Sequence, residues 1–254
     1  MQWNLQLIPI LERGMRERGS ETKRNAAQIV GNMASLTDAK DFIPYLPRLI
    51  PLMHVVLADP VPESRATAAK ALGTLIERLG EVNFPDMISN LIHTLKTDTS
   101  SVDRQGAAQG LSEVLSGLGM ERMESLLPEI VTSAGSSRSH VREGFMSLLV
   151  FLPATFGHKF TPYLSRIIPP ILNGLADAEE FVRTASMKAG RMIINNYSNK
   201  AIDLLLPELE NGMFDSSWRI RVGTIFPSLE MISLSFVALV HHLNRGDAIQ
   251  GLRD

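Results

Sequence analysis

The chain has 254 residues, with 25 Lys and Arg against 27 Asp and Glu for a net charge of −2. Hydrophobic residues make up 44% and aromatics 6%, which excludes a disordered or collagen-like chain and favours helices over a β-sandwich. With no cysteine, disulfides, zinc–thiolate sites and thiol catalysis are excluded, and the near-neutral balance argues against a dedicated nucleic-acid binder.

The first residues carry no basic region followed by an apolar run and a small-residue cleavage site, so no secretory signal is expected. The longest apolar stretches, 146–153 and 231–240, fall short of the roughly 18 residues of a membrane-spanning helix. The expectation is a soluble, cytoplasmic protein without a membrane partner. Asn196-Tyr197-Ser198 then reads as a chance match to a glycosylation sequon.

Self-similarity organises the chain. At a shift of 39, Ala68, Ala69, Leu72, Leu75, Ile76 and Leu79 fall on Ala107, Ala108, Leu111, Val114, Leu115 and Leu118, and Gly80 falls on Gly119. Their spacing is one stripe of an amphipathic helix ended by a glycine. A basic residue recurs at Lys23, Arg65, Arg104, Arg142, Arg183 and Arg221. Six residues earlier stands an acid at Glu17, Asp59, Asp98, Asp177 and Asp215, while the fourth repeat has Ser136 there.

The stretch before each acid is also helical in pattern, as in Leu46, Leu49, Ile50, Met53, Val56 and Leu57. Prolines near the starts of these stretches fit a first helical turn, whereas Pro51 and Pro169 sit deeper and predict kinks. Each unit is therefore helix A, a short acidic turn and helix B. Six units are predicted at 1–38, 41–80, 84–119, 122–157, 161–198 and 201–240, followed by a divergent, poorly ordered tail at 241–254. One hairpin cannot bury its stripe alone, so the units stack. The expected fold is all-α, a HEAT-repeat (armadillo-like) α-solenoid of about six hairpins. Ala26/Ala27, Ala68/Ala69 and Ala107/Ala108 would let the B helices approach their neighbours closely.

One acid and one cation per repeat do not converge on a point, as catalysis requires. The expectation is structural: each Asp caps helix B and pairs with a basic anchor of its own or the adjacent repeat. This ladder comprises Glu17, Lys23, Asp59, Arg65, Asp98, Arg104, Arg142, Asp177, Arg183, Asp215 and Arg221. No catalytic residue, metal ligand or cofactor site is expected. The six histidines form no His-Glu-x-x-His, and Gly117-Leu118-Gly119 follows no strand that would make it a phosphate loop. Residues 133–139 (SAGSSRS) read as a flexible turn; the sequence alone gives no support to a phosphorylation site there. Arg13, Arg16, Arg18 and Arg24, offset by Glu12, Glu17 and Glu21, form a candidate basic contact surface.

Residues 23–33 (KRNAAQIVGNM), 101–114 (SVDRQGAAQGLSEV), 155–163 (TFGHKFTPY), and 204–210 (LLLPELE) followed by 214–221 (FDSSWRIR) include polar positions that solenoid geometry does not demand. Together they resemble the central HEAT region of the large ribosome-associated translational activators of the general amino-acid control pathway, positive regulators of the initiation factor two alpha kinase. The first stretch is also similar to the HEAT domain of fungal elongation factor three. The resemblance covers roughly residues 5 to 225 and fades beyond Ile225, where Pro227 would break a helix.

It implies a non-enzymatic scaffold whose partners are proteins: the ribosome, through ribosomal protein or rRNA, and components of a kinase-activating complex in amino-acid starvation. It implies no small-molecule substrate, and a fragment or truncated product that is monomeric. Two alternatives stand beside it. One is a scaffold of another class, a nuclear transport receptor or phosphatase scaffold. The other is a HEAT-like DNA glycosylase, which would need a cationic groove with an aromatic-and-acid pocket.

Overall fold

In the computed structural model the described backbone comprises residues 3–213, with side chains described from 7 to 197 and at Lys200 and Leu204. Asp215, Arg221, most of the expected sixth unit and the 241–254 tail lie outside the described residues. All described elements are helical, as the all-α, HEAT-type expectation requires. The chain divides into two compact units, residues 1–133 and 134–254.

In the first unit, α1 (Trp3–Arg16), α4 (Leu46–Leu57), α6 (Met87–Lys96) and α8 (Met120–Ala134) alternate with α2 (Ser20–Leu36), α5 (Pro62–Leu79) and α7 (Ser101–Leu118). A four-residue helix, α3 (Ala39–Phe42), and a 3₁₀ turn at Ile43–Tyr45 lead into α4. Helices α1 and α2, α4 and α5, and α6 and α7 pack as hairpins, and α2, α5 and α7 stack side by side. The expected stripe faces inward: Ala68, Ala69, Leu72, Leu75, Ala108, Leu111, Val114 and Leu115 are fully buried. Gly80 and Gly119 end α5 and α7 at φ +80° and +93°, a conformation open to glycine at little steric cost. Pro51 lies inside α4, which runs through it without a break.

Glycines, more than alanines, set how closely these helices meet. A Cβ on Gly106 would overlap the carbonyl oxygen of Leu57, because α7 crosses the C-terminal end of α4 there. On Gly73 it would come within 2.7 Å of the Glu113 carbonyl oxygen, and on Gly117 within 2.6 Å of the Gly73 carbonyl oxygen. Backbone against backbone leaves no flexible side chain to give way.

In the second unit, α9 (Ser139–Phe156), a 3₁₀ segment (Gly157–Tyr163), α10 (Leu164–Leu175) and α11 (Glu180–Met213) follow in order. Both α9 and α10 pack on α11. Pro169 and Pro170 fall within a continuous α10. Helix α11 is broken at Tyr197, with φ −134° and ψ 24°. The Tyr197 hydroxyl reaches the carbonyl oxygens of Gly157 at 2.6 Å and Pro153 at 2.8 Å, tying the break to the C-terminal end of α9. Phe160 fills the core between Phe156 and Tyr163, at ring separations of 6.3 and 5.6 Å.

Candidate functional site

Among the described residues the repeated cations occupy one place in the hairpin, the first turn of the B helix, and Arg65, Arg104, Arg142 and Arg183 look back over the turn that precedes it. Arg65 Nη1 donates to the carbonyls of Asp59 (2.8 Å) and Pro60 (3.0 Å). Arg142 Nη1 does the same to Ser136 (2.9 Å) and Ser137 (3.1 Å), and Arg183 to Asp177 and Ala178, both at 2.8 Å. Arg104 donates to Thr99 O at 2.7 Å and, more weakly, Thr97 O at 3.4 Å. A guanidinium carries enough donors to satisfy two carbonyls at once and still bond elsewhere.

The remaining donors turn to a neighbouring hairpin. Lys23 on α2 pairs with Asp59 before α5. Arg142 on α9 grips Asp177 before α11 in a fork, Nε to Oδ2 at 2.6 Å and Nη2 to Oδ1 at 2.8 Å. Arg65 Nη2 instead reaches Gln105 Oε1 at 3.5 Å. Ser64, fully buried, donates to the Ser20 carbonyl at 3.0 Å. Glu17 is exposed, and the acid that Lys23 meets is Asp59; Asp98 is also exposed.

The expectation that each Asp caps helix B needs correction. Asp59 Oδ1 accepts the N–H of Val61 at 2.9 Å, and Asp177 Oδ1 that of Glu179 at 3.0 Å. Val61 is itself the N-cap of α5, so the acid closes the approach turn and not the helix. Before α7 the cap is Ser100, which accepts from Asp103 N at 3.1 Å. An Asp two residues ahead of the cap bonds the amide nearest to it, the usual Asx geometry.

Burial pulls the Asp59 carboxyl upward, yet bonds from Lys23, the Val61 amide and Ser20 outweigh it and hold the group below its ordinary value. For Asp177, burial is likewise overcome by Arg142, the Glu179 amide and the charge of Arg183. The Asp177 bond raises the Arg142 guanidinium in turn, whereas burial lowers that of Arg65. Asp59 and Asp177 are each paired with a cation of the preceding hairpin, Lys23 and Arg142. Among the described residues no three His, Asp or Glu side chains gather as a metal would need, and no helix is long and apolar enough to cross a membrane.

Of the expected basic surface, Arg13, Arg16 and Arg18 line one open cleft of about 450 Å³ with Pro9, Glu12 and Glu17. Arg24 stands apart, 3.9 Å from Glu21. Glu12 is committed to Arg48 on α4, which donates to its Oε2 at 2.8 Å and lies 2.7 Å from its Oε1 as an ion pair, and this leaves the arginines dominant over the cleft. Sequence reasoning missed that pair and two others between hairpins, Lys96–Glu129 (2.6 Å) and Glu81–Arg122 (2.9 Å).

Comparison with known proteins places these observations. The family described as "Elongation factor 3/GNC1 HEAT repeat" matches residues 5–86, and "EF3 N-terminal HEAT repeat" matches residues 104–235. The chain is 53% identical over 219 residues to the eIF-2-alpha kinase activator GCN1 of Saccharomyces cerevisiae, covering 86% of this chain and 8% of that protein. It is 50% identical over 221 residues to the stalled ribosome sensor GCN1 of Homo sapiens, again with 86% and 8% coverage. The chain thus spans 8% of the length of each of these relatives. Among solved structures, Kap121p superposes with a TM-score of 0.57 at 15% identity, over 94% of this chain and 27% of that one, a likeness of fold alone.

Proposed function

The chain belongs to the HEAT-repeat family of elongation factor 3 and GCN1, and on that footing we propose that it is a non-enzymatic scaffold contributing to ribosome-linked activation of the eIF-2-alpha kinase. Identity of 53% over 219 residues to a kinase activator of that name carries this reading. Function in such a protein is positional: hairpins locked by Lys23–Asp59 and Arg142–Asp177 hold outward side chains at fixed separations. The ladder sets the angle between neighbouring hairpins, and neither a cofactor nor a small-molecule substrate takes part.

The partners in this reading are proteins and the ribosome, and the setting is the cytoplasm. Arg13, Arg16 and Arg18 are the contact surface we assign to the ribosome, because three exposed guanidiniums around one cleft suit phosphate or acidic side chains. The purified chain is expected to sediment as a monomer. Sucrose-gradient co-sedimentation with ribosomes at low and moderate salt tests the proposal. A ribosome-bound fraction that shrinks with salt supports it; no bound fraction even at low salt would overturn a direct ribosome role for this chain.

A further inference from the structure

In the turn before α9, Ser136 stands six residues ahead of Arg142, the place that Asp59 and Asp177 hold ahead of Arg65 and Arg183. The turns share a backbone frame as well as a register. Ser136 Oγ accepts the N–H of Arg138 at 3.3 Å, the same bond, two residues on, that Asp59 makes to Val61 and Asp177 to Glu179. Overhead, Arg142 holds the Ser136 and Ser137 carbonyls as Arg65 and Arg183 hold those of their own turns. What distinguishes Ser136 is a neutral hydroxyl at the register position that holds a carboxylate in the turns before α5 and α11.

We propose that Ser136 is a phosphorylation site, and that the phosphoryl group supplies the charge that Asp59 and Asp177 provide in their turns. The site suits the modification. Ser136 is half-buried, its neighbours Ser137 and Arg138 are exposed, and the turn is confined between the end of α8 at Ala134 and the start of α9 at Ser139. In the reaction, a protein kinase directs Ser136 Oγ at the terminal phosphorus of a nucleoside triphosphate. The new O–P bond forms as the bridging P–O bond to the diphosphate breaks, and the hydroxyl proton passes to the kinase's base.

The product oxygens lie beside the Arg138 amide and close to the Arg142 guanidinium, which bonds the Ser136 carbonyl at 2.9 Å. Arg142 is already engaged by Asp177 and the turn carbonyls, so the exposed side chain of Arg138 is the group free to swing onto the phosphate. Phosphorylation therefore tightens this turn. It does not melt it, as a charge placed beside acids would. The inference stands on the turn geometry and does not depend on the ribosome reading.

The test places phosphoserine genetically at position 136, and separately at 137, in the full chain and compares thermal midpoints at low salt. Phosphate at 136 is expected to raise the midpoint by about 2 °C or more, S136D by less, and the R138A background should remove most of the gain. A fall, no change, or an equal rise from position 137 would overturn the proposal. Phosphopeptide mapping of the protein recovered from its own cells must also find phosphate on Ser136; full coverage of an unmodified peptide, in starved and fed cells alike, sinks it as well.

Discussion

Arg142 fastens Asp177 by two nearly parallel bonds of 2.6 and 2.8 Å while its third nitrogen holds the turn that leads into its own helix. One side chain therefore joins three pieces of chain: α9, the turn before it and the turn before α11. Both partners are largely shielded, at 19% and 9% side-chain exposure, so the bonds are not diluted as on an open surface.

Replacing Arg142 by Lys keeps the charge and loses the fork. A cost of about 1–2 kcal/mol is expected, read as a lower midpoint in urea with an unchanged slope. Asp177→Asn should cost a similar amount, and the double variant little more than either alone. Additive losses would mean that the two residues act separately.

Acid should loosen the hairpins through the same carboxylates. The ordinary value for Asp59 and Asp177 is 3.8, and both are held below it in the folded chain. Folding thus favours their ionised forms, so their contribution is complete above 3.8 and is lost as pH falls through the folded-state values. Thermal midpoints measured from pH 6 to pH 2 should drop steeply below about pH 4. The D59N/D177N chain should start lower at pH 6 and fall less.

Gly106→Ala is the severest small substitution expected in the first unit. The added methyl group meets the Leu57 carbonyl oxygen, and neither helix can yield without moving its backbone. A loss of about 3 kcal/mol is expected. Gly80→Ala, where open space surrounds the Cβ but φ is +80°, should cost closer to 1 kcal/mol. Chemical denaturation of the two variants side by side separates crowding from backbone strain.

Tyr197→Phe removes the hydroxyl from the Gly157 and Pro153 carbonyls and should cost about 1–2 kcal/mol. Burial raises this phenol from 10.0 to about 12, so folding favours the neutral form. Its contribution is complete below pH 10 and disappears as pH approaches 12. Following phenolate absorbance against pH should show a step near pH 12 that Y197F erases.

Charge reversal at the cleft, R13E/R16E/R18E, should leave the thermal midpoint within about 1 °C, since all three side chains are exposed. Ribosome co-sedimentation at low salt should fall several-fold. Unchanged sedimentation would remove these arginines from the contact surface.

The B helices were legible because burial enforces strict spacing: Ala68, Leu72, Leu75 and Ile76 can reach the core only from one face. The anchors were legible because each must span a turn of constant length. The side-chain bonds made by the A helices obey no such rule. Glu12–Arg48, Lys96–Glu129 and Glu81–Arg122 are separated by 36, 33 and 41 residues, since long side chains near the surface choose partners by reach. Gly106 and Tyr197 were opaque for a different reason. Their roles depend on which backbone passes close by, the Leu57 carbonyl in one case and the end of α9 in the other.

Because Arg65, Arg142 and Arg183 each touch the carbonyls five and six residues behind them, the stretch leading to the anchor behaves as a ruler. Successive anchors lie 38 to 42 residues apart, so the elasticity in repeat length is absorbed elsewhere. It falls on the far edge of the hairpins, around segments such as Glu81–Asn83, where Arg122 holds the flexible Glu81 side chain and not the turn carbonyls. Evolutionary gains and losses of residues, and any tag grafted in the laboratory, belong on that edge.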